Sequence, residues 1–356
     1  MRHTVYTMKK RTVAVLGATG TVGQRFITLL ADHPWFDLVA LTTSDRSAGR
    51  RYADAVHWHL PEPMPESVAD VILEPTRPEL TADLCFSALP TEAASEHEAA
   101  LAGTGHHVFS NASVHRMDDD VPNLLAEVNF DHAAVLLRQR ETRGWRGSIV
   151  TNGNCTAIHL TLALAPLQRE FGIEQLVVTT LQSISGAGYP GVSSLDALDN
   201  VIPFIGGEEE KVVEETQRFL GTWDQAKGFT PARFPMSIHC NRVLVRDGHT
   251  ETVSVRLAGG PDAAAVAASL RAFRGRPQEL GLPSAPARPI VVTELPDRPQ
   301  PLLDRDNERG MATTVGRIRA DAVHGIKFVL VGHNTVRGAA GASVLNAELL
   351  VAEGYV

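Results

Sequence analysis

The segment Asn152-Gly-Asn-Cys-Thr156 contains the side chain with the greatest potential for chemistry, the thiol of Cys155. The residues that follow, Thr156 to Phe171, have the spacing of a strong helix, so Cys155 lies at its start. The positive end of a helix dipole lowers the pKa of a thiol and favours the thiolate. Free backbone N–H groups in the same turn can bind an oxyanion. We therefore predict a cysteine nucleophile with a lowered pKa at position 155.

The alternative for a lone cysteine is a small buried residue of the core. Cys85 and Cys240 fit that description because both fall within strand-like runs. The Gly-Asn pair before Cys155 and its place at a helix start favour the nucleophile there. Three cysteines in 356 residues also argue against a disulfide framework, and they indicate a reducing compartment, which we expect to be the cytoplasm.

A thiol nucleophile needs a group that moves protons, and the first candidate is His249. It follows Asp247-Gly248, a two-residue turn signal within the alternating run Val243 to Leu257. A hairpin closed by this turn pairs Arg246 with His249. Arg242, Arg246 and His249 would then project from one face, where guanidinium and imidazole groups can hold a carboxylate while a proton moves.

Other assignments for these histidines stay open. His159 lies one helical turn after Cys155, and His239 would face away from Arg242 on the same strand. Structural roles suit both of them better. His249 itself would be a solvated residue of a surface hairpin if no site forms beside it.

Two further stretches contain charges that could bind an anionic substrate. Arg116 ends the segment Ser110-Asn-Ala-Ser-Val-His-Arg116, which follows a predicted strand, and Glu208-Glu-Glu-Lys211 opens a helical stretch. Arg116 and Lys211 could neutralise a phosphate, and Glu208 could receive an ammonium group. The alternative for the glutamates is an ordinary interaction with the helix dipole.

A glycine loop with the spacing Gly17-x-x-Gly20-x-x-Gly23 predicts a dinucleotide site. It follows the apolar strand-like run Thr12 to Leu16 and precedes an amphipathic stretch, Gln24 to Asp32. Glycines in this context let the backbone approach a pyrophosphate, which then lies at the helix N-terminus. A tight turn with no ligand is the alternative.

The residues after the second predicted strand indicate which dinucleotide binds. An acidic side chain there usually contacts the ribose 2′-hydroxyl of NAD. The segment from Thr42 to Arg51 instead contains hydroxyl groups and guanidinium groups, among them Ser44, Arg46 and Ser47, which suit a 2′-phosphate. NADP(H) is therefore favoured, with Asp45 as the contrary observation and a solvated basic loop as the alternative.

The elements that must position these residues begin with β-α-β spacing. Further strands are predicted at Asp37 to Thr43, Ala69 to Leu73, Leu84 to Ala88 and His107 to Ser110, with a helix at Glu92 to Thr104. This pattern predicts an α/β fold that starts with a Rossmann-type, doubly wound parallel sheet. We assign residues 1–148 to an NADP-binding domain that the C-terminal helix, residues 335–356, completes.

Longer strand-like runs follow from residue 149 onwards. They include Leu176 to Ile184, Pro289 to Glu294 and Ile326 to Val331. These runs predict a second, α+β domain over residues 149–334 that carries catalysis and an open mixed sheet. Such a sheet often packs against a copy of itself, so we expect a homodimer or homotetramer.

Bulk composition excludes several classes of protein. The net charge is −8 and no basic stretch with interleaved aromatic residues occurs, which argues against a nucleic-acid partner. No apolar run approaches the ~20 residues of a membrane span. The N-terminal extension, Met1 to Lys10, is basic but lacks the apolar core of a secretory signal.

Together these segments resemble the aspartate-β-semialdehyde dehydrogenase family, in the branch found in archaea, fungi and some bacteria. The resemblance extends from Gly17 to the C-terminal helix. The motifs that carry it are Gly17-Ala-Thr-Gly-Thr-Val-Gly23, Ser110-Asn-Ala-Ser113, Asn152-Gly-Asn-Cys-Thr156, Gln182-Ser-Ile-Ser-Gly-Ala-Gly188, Ile205-Gly-Gly-Glu-Glu-Glu-Lys211, Cys240-Asn-Arg242 with Asp247-Gly-His249, and Asn334-Thr-Val-Arg-Gly-Ala-Ala340.

The resemblance implies a role for each candidate residue. Cys155 would accept the acyl group, His249 would act as acid and base, and Gln182 would orient the acyl intermediate. The substrate would be bound by Arg242 at its carboxylate, by Glu208 at its amino group, by Arg116 and Lys211 at its phosphate, and by Asn111. The cofactor would contact Gly17, Thr19, Gly20, Thr21, Val22, Gly23, Ser44, Arg46, Ser47, Ser87, Ser185, Gly186 and Asn334.

The implied reaction is the NADPH-dependent reductive dephosphorylation of L-4-aspartyl phosphate, on the route to lysine, threonine and methionine. It needs no metal, because phosphate is already an activated leaving group. Two other acyl-group reductases on this scaffold, malonyl-CoA reductase and N-acetylglutamyl-phosphate reductase, are alternatives. Glu208 argues against the first, since a malonyl group has no ammonium. A non-catalytic NADP-sensing module is a further alternative, although it would not need Cys155 and His249.

Overall fold

Two large β-sheets organise residues 9–356, the part of the chain that the computed structural model describes. The predicted N-terminal extension therefore lies mostly outside the described residues. Within residues 9–356 no helix combines the length and the apolar composition that a membrane span requires.

The first sheet is parallel throughout and has, among the described residues, six strands in the spatial order β3-β2-β1-β4-β5-β6. The strand order reverses between β1 and β4, which is the switch point where α/β sheets bind ligands. The predicted doubly wound sheet is confirmed. The strands are β1 (Arg11–Leu16), β2 (Phe36–Thr43), β3 (Glu74–Pro75), β4 (Leu84–Ser87), β5 (His107–Ser110) and β6 (Ser148–Thr151).

Helices connect these strands and bury apolar side chains against both faces of the sheet. On one face, Phe26 and Ile27 of the first helix pack against Phe86 of β4. On the other face, Leu101 and Ala102 lie in a core cluster with Cys85. The helices of this half are α1 (Thr21–Leu30), α2 (Tyr52–Ala55), α3 (Glu66–Ala69), α4 (Thr91–Thr104) and α5 (Val135–Arg143).

The predicted strand at Ala69 to Leu73 is wrong, since α3 ends at Ala69 and β3 begins only at Glu74. The apolar side chains of this run do pack into the core. Their backbone groups, however, bond to a neighbouring loop: Val71 accepts from the N–H of Tyr52, and Leu73 accepts from Gly49. A short apolar run cannot show whether its backbone partner is a sheet or a loop.

The second sheet is mixed and has, in the described part of the chain, seven strands in the order β13-β14-β15-β12-β7-β11-β8. This confirms the predicted α+β half with an open mixed sheet. Its strands are β7 (Ile173–Gln182), β8 (Val201–Ile202), β11 (Met236–Val243), β12 (His249–Leu257), β13 (Ile290–Val292), β14 (Thr313–Asp321) and β15 (Gly325–Gly332), and β9 (Thr222–Asp224) and β10 (Gly228–Thr230) pair separately.

The predicted hairpin at Asp247-Gly248 is wrong because β7 lies between β11 and β12. Arg242 pairs with Gln182 of β7 rather than with β12, and Arg246 does not pair with His249. The connection crosses the end of β7, where Val245 accepts a hydrogen bond from the N–H of Ile184. The turn signal is real, since Gly248 has a φ of +99°, but it joins strands that are not neighbours.

Helix α6 (Cys155–Glu170) is buried along almost all of its length against the second sheet. The other helices of this half are α7 (Ser194–Ala197), α8 (Glu208–Phe219), α9 (Ala263–Ala272), α10 (Arg276–Leu280), α11 (Pro301–Asp304) and α12 (Gly341–Ala352). A π-helical turn, Val336–Ala340, leads into α12.

The C-terminal helix α12 returns to the first half, where Val344, Ala347 and Leu350 join the same core as Phe86. Strand β6 belongs to the first sheet and crosses the predicted boundary at residue 148. The division of the chain at that residue stays a prediction.

Candidate active site

The start of α6 is built by residues on either side of Cys155. The Asn154 side chain caps the helix, since its Oδ1 accepts from the N–H groups of Thr156 and Ala157 at 2.9 and 3.1 Å. Gly153 must be a glycine, because a Cβ there would lie 2.4 Å from the Phe219 ring. Cys155 is thus fixed as the first residue of the helix, as predicted.

The sulfur of Cys155 lies against the imidazole of His249. The distance from Sγ to Nε2 is 3.1 Å, although 94 residues separate the two in sequence. On the other side of the ring, Nδ1 accepts the main-chain N–H of Ser183 at 3.1 Å and lies 3.2 Å from its Oγ. The pair therefore has a fixed geometry, with the ring held from behind by Ser183.

The predicted lowering of the Cys155 pKa is wrong for the protein without substrate. Burial, and after it the carboxylate of Glu208, raises the pKa of this thiol to about 12, against the opposing effects of Arg116 and Arg242. Burial also holds the pKa of His249 well below its usual value, helped by His159, Arg242 and His333. A neutral thiol and a neutral imidazole face each other.

A row of polar side chains across the second sheet forms the floor of the site. Register places Arg242 beside Gln182, and the next strand begins with His249 on the other side of Gln182. Gly186 covers this row closely, since a Cβ there would lie 3.0 Å from a guanidinium nitrogen of Arg242 and 3.1 Å from the His249 ring. Arg242 and His249 therefore share a face, as predicted, although a third strand separates them.

Charged side chains from three parts of the chain border the same cavity. Arg116 donates to Glu215 at 2.9 Å and to the carbonyl of Asn111 at 2.7 Å, and these two hydrogen bonds fix the position of its guanidinium group. Glu208 accepts from the Asn154 amide at 2.9 Å. Lys211 lines the cavity one turn after Glu208. The site thus presents three cations and one carboxylate within one space, a match for a substrate that carries both signs of charge.

The cavity measures about 720 Å³ and joins the two halves of the molecule. It brings together most of the predicted substrate and nicotinamide-end residues. The wall contains Gly20, Thr21, Val22, Asn111, Arg116, Cys155, Gln182, Ser185, Gly186, Glu208, Lys211, Arg242 and Asn334. His249 lies just behind this wall, fully buried and in contact with the sulfur.

A second space of about 580 Å³ continues past the glycine loop and fits a dinucleotide. A Cβ on Gly17 would lie 2.8 Å from the Ala88 carbonyl, and one on Gly23 would lie 2.3 Å from the Gly17 carbonyl. Gly20 caps α1 without a side-chain hydrogen bond, which leaves the first N–H groups of the helix free for a pyrophosphate. The loop thus has the close backbone packing that such a cofactor requires.

The predicted contacts of the cofactor are only partly brought together. Gly17, Thr19 and Ser44 line the second space, and so does Arg77, which was not predicted. Arg46 and Ser47 lie outside its lining, and Ser87 is buried, with its Oγ 3.5 Å from the N–H of Leu89. Arg77 comes just after β3, whose position was predicted wrongly. The sequence therefore did not indicate that Arg77 lies near Ser44.

The two other histidines considered as candidates, His159 and His239, differ in burial. His159 is buried, with a pKa lowered to about 3 and Nδ1 at 2.7 Å from Thr313 Oγ1, and His239 faces outward.

Glu251 was not predicted: it is fully buried two residues after His249, and both its oxygens lack a partner among the described residues. Within residues 9–356 no three His, Cys, Asp or Glu side chains are grouped to hold a metal ion.

Comparison with known proteins decides the family. The semialdehyde dehydrogenase NAD-binding domain matches residues 12–136, and the semialdehyde dehydrogenase dimerisation domain matches residues 164–337. The aspartate-semialdehyde dehydrogenase of Methanothermobacter thermautotrophicus is 50% identical, over 95% of this chain and 98% of its own length. The chain belongs to the aspartate-semialdehyde dehydrogenase family.

Other family members agree in sequence and in structure. The aspartate-semialdehyde dehydrogenase of Schizosaccharomyces pombe is 46% identical, over 98% of this chain and all of its own. The crystal structure of the Candida albicans enzyme with NADP superposes with a TM-score of 0.90 at 40% identity, covering 98% of this chain and 100% of that one. As a member of this family, the chain is an enzyme, and its dimerisation domain indicates a homo-oligomer.

Proposed function

We propose that this enzyme reduces L-4-aspartyl phosphate to L-aspartate 4-semialdehyde with NADPH, through a thioester on Cys155. The observation that carries the proposal is the contact of 3.1 Å between Cys155 Sγ and His249 Nε2, at the head of a helix that borders the same cavity as the glycine loop. The pathway would be the biosynthesis of lysine, threonine and methionine, in the cytoplasm. A homodimer is the proposed assembly, with a homotetramer as the alternative.

The charges of the cavity divide among the groups of this substrate. Arg242 would bind the α-carboxylate, and Glu208 would bind the α-ammonium. Arg116 and Lys211 would bind the phosphate. The aspartate-semialdehyde dehydrogenase II of Vibrio cholerae, 26% identical with a TM-score of 0.78, was solved in complex with ASA, which supports a semialdehyde as ligand.

The cofactor would lie across the glycine loop, with its nicotinamide end toward Cys155. Gly17, Gly20 and the N-terminus of α1 would hold the pyrophosphate, and Ser44 and Arg77, which line the second space, would bind the 2′-phosphate. Ser185 and Asn334, joined by a hydrogen bond of 2.8 Å, would border the nicotinamide. When bound, NADPH supplies the hydride that reduces the acyl group.

Cys155 would perform the covalent step. Its sulfur attacks the acyl carbon, phosphate leaves, and the thioester forms. The main-chain N–H of Cys155, which the Asn154 cap does not use, would hold the oxyanion of the hemithioacetal that follows reduction. Gln182 would orient the acyl group, and His249 would act as acid and base at the sulfur of Cys155. Gly338 keeps this space open, since a Cβ there would lie 2.7 Å from the Cβ of Cys155.

A substrate panel tests the proposal, with Cys155→Ala as the matched variant. We expect the wild type to turn over aspartyl phosphate with NADPH, and the variant to lose turnover while its NADPH affinity, measured by calorimetry, stays nearly unchanged. Mass spectrometry after incubation with the semialdehyde, phosphate and NADP should show an adduct on Cys155. Turnover of malonyl-CoA but not aspartyl phosphate, or substantial activity in Cys155→Ala, would reject the proposal.

A further inference from the structure

Glu215 of α8 is a buried carboxylate that was not predicted as a site residue. It lies two helical turns after Glu208 on the same face of the helix, between Val212 and Phe219, whose side chains pack into the core. Glu208 borders the cavity, whereas Glu215 lies behind the cavity wall with 2% of its surface exposed. Such a group can affect the substrate only through the residues that it holds.

Each oxygen of the Glu215 carboxylate accepts from a different part of the site. Oε1 accepts from the Arg116 guanidinium at 2.9 Å, and Oε2 accepts from the main-chain N–H of Asn154 at 2.5 Å. Asn123 is a more distant donor to Oε2, at 3.5 Å. Arg116 borders the cavity from the segment after β5, and Asn154 immediately precedes Cys155. One carboxylate therefore joins the proposed phosphate ligand to the start of the helix that carries the nucleophile.

The second contact of Arg116 leads to the same part of the chain. Arg116 donates to the Asn111 carbonyl at 2.7 Å, and the Asn111 side chain accepts from Asn152 at 3.0 Å. The guanidinium is thus held on two sides by groups that are bonded to residues 152–154. The side chains of Arg116 and Glu215 are only 10% and 3% exposed, so solvent screens their attraction little.

We propose that Glu215 is a positioning residue that sets the distance between the phosphate-binding guanidinium of Arg116 and the sulfur of Cys155. The inference rests on the proposed function, in which phosphate leaves the acyl group as the sulfur attacks. The guanidinium and the sulfur are close, since the charge of Arg116 opposes the rise in the pKa of the Cys155 thiol. A misplacement of about 1 Å between reacting groups can slow a reaction by about 10²-fold, so this distance matters for the rate.

Glu215→Gln tests the proposal because it keeps the shape of the side chain and changes only its hydrogen bonding. A carboxylate accepts at both of its oxygens, whereas an amide accepts at one position and donates at the other. The new NH₂ group would therefore face either the guanidinium of Arg116 or the N–H of Asn154. The amide can satisfy one of these donors but not both, so the link between them is lost.

Kinetics of the reverse reaction separate the effect on phosphate from the effect on the other substrate. In that direction phosphate enters last, when it displaces the sulfur from the thioester. We expect kcat/KM for phosphate to fall about 10²-fold in Glu215→Gln. The kcat/KM for the semialdehyde should fall much less, because Arg242 and Glu208 would still bind its carboxylate and ammonium groups. Equal losses for both substrates, or no loss for phosphate, would overturn the proposal.

A double variant tests whether Glu215 acts through Arg116. Arg116→Ala alone should lower kcat/KM for phosphate strongly. Adding Glu215→Gln should lower it little further, because the positioned group is already gone and the amide oxygen can still accept from Asn154. The double variant removes both charges of the buried pair, so it should fold even where a single variant leaves one charge buried without a partner. Losses that simply add would overturn the proposal.

Val212→Ala is the matched control for an effect on stability alone. Val212 is fully buried on the same face of α8, and its side chain packs into the core. The variant should lose unfolding free energy, measured by urea denaturation, while both values of kcat/KM stay nearly unchanged. A loss for phosphate as large as that of Glu215→Gln would show that weakened packing of α8 is sufficient, and the proposal would fail.

Failure of the proposed function would give a different result. A wild-type enzyme that forms no aspartyl phosphate from the semialdehyde, phosphate and NADP would reject the proposed function, and the present inference with it. Normal turnover by the wild type, combined with normal use of phosphate by Glu215→Gln, would instead reject only the present inference.

Discussion

The carboxylate of Glu208 opposes the nucleophile beside which it lies. After burial, Glu208 is the group that raises the pKa of the Cys155 thiol most. Under the proposed function, the substrate ammonium would neutralise Glu208 in the same event that brings the acyl carbon to the sulfur. The thiol would thus be least reactive in the empty site and become more acidic as the substrate binds, which protects it from oxidation and alkylation.

Glu208→Gln tests this coupling in the enzyme without substrate. Because the negative charge is removed, the pKa of Cys155 should fall, and alkylation at pH 8 should become severalfold faster. KM for the substrate should rise, since the ammonium loses its partner. Glu210→Gln, an exposed change in the same helical turn, is the control and should alter neither rate. Unchanged alkylation in Glu208→Gln would show that burial alone sets the thiol pKa.

Glu251 should make the stability of the fold depend on pH. Burial raises the pKa of its carboxyl well above the usual value. Below the pKa of the unfolded state both states are protonated, and the group has no effect. As pH rises above it, only the unfolded chain ionises, so stability falls by up to ~1.4 kcal/mol per pH unit until the folded pKa is reached.

Urea denaturation of Glu251→Gln checks that expectation. The variant and the wild type should have similar unfolding free energies near pH 4, and the variant should be increasingly the more stable at pH 6 and 8. Glu174→Gln, an exposed change on β7, provides the comparison. An equal pH dependence in wild type and Glu251→Gln would mean that the buried carboxyl is ionised and paired.

At the scale of single residues, the sequence predicts which residues form the site better than it predicts whether they are ionised. Cys155 and His249 could be chosen from a helix start and a turn signal, and the structure places them in contact. The thiol pKa could not be predicted, because burial and Glu208 outweigh the first turn of α6, and both are set by tertiary packing. Glu251 could not be found either, since an alternating strand does not show which of its faces is dry.

At the scale of elements, the cap of α6 links stability to the site. Asn154 accepts two N–H groups of the helix and donates to Glu208, so Asn154→Ala removes the cap and frees the carboxylate. We expect a loss of about 1 kcal/mol of unfolding free energy and a larger loss of kcat/KM.

Asp262→Ala separates the two effects of that cap. Asp262 caps α9, where its carboxylate accepts from the N–H of Ala265 at 2.8 Å, and it does not line the cavity. This variant should lose a similar amount of stability, measured by urea denaturation, with kcat/KM unchanged. Equal kinetic effects in the two variants would mean that the Asn154 cap acts only through global stability.

Elements with local signals were predicted, and those fixed by distant partners were not. The glycine loop, α4, α6 and β7 follow from periodicity and turn residues close to them in sequence. The order of strands in the second sheet does not, because β7 inserts between β11 and β12, which are consecutive in the chain. Sheet order depends on contacts between segments that are distant in sequence, and a turn signal such as Asp247-Gly248 contains no information about it.

For the whole molecule, one buried ion pair helps to fix the C-terminal segment. Arg337, in the π-helical turn before α12, donates to Glu127 at 3.1 and 2.5 Å, and both side chains are fully buried. Glu127 also accepts from Gln278 of α10 at 3.3 Å. The turn that positions Asn334 and Gly338 at the cavity is thus anchored to the rest of the fold.

One segment of the second half has a surface that predicts an interface between copies. Large apolar side chains between residues 195 and 204 are exposed in the single chain, with Leu195 at 86% and Phe204 at 74%. Apolar patches of this kind mark interfaces, and the segment lies within the match to the dimerisation domain. It runs directly into Ile205 and Glu208, which line the cavity. Contact with a second copy would therefore steady one wall of the site.

The double variant Leu195→Asp with Phe204→Asp should dissociate the oligomer, because two charges would be buried without partners. Sedimentation velocity should show a monomer, and kcat/KM should fall as the segment before Glu208 loses its support. Leu137→Asp, on the exposed face of α5, is the matched control and should stay oligomeric and active. Since α8 is packed within its own subunit, the monomer should keep its helix content by circular dichroism. An oligomeric and fully active double variant would show that the interface does not depend on this segment.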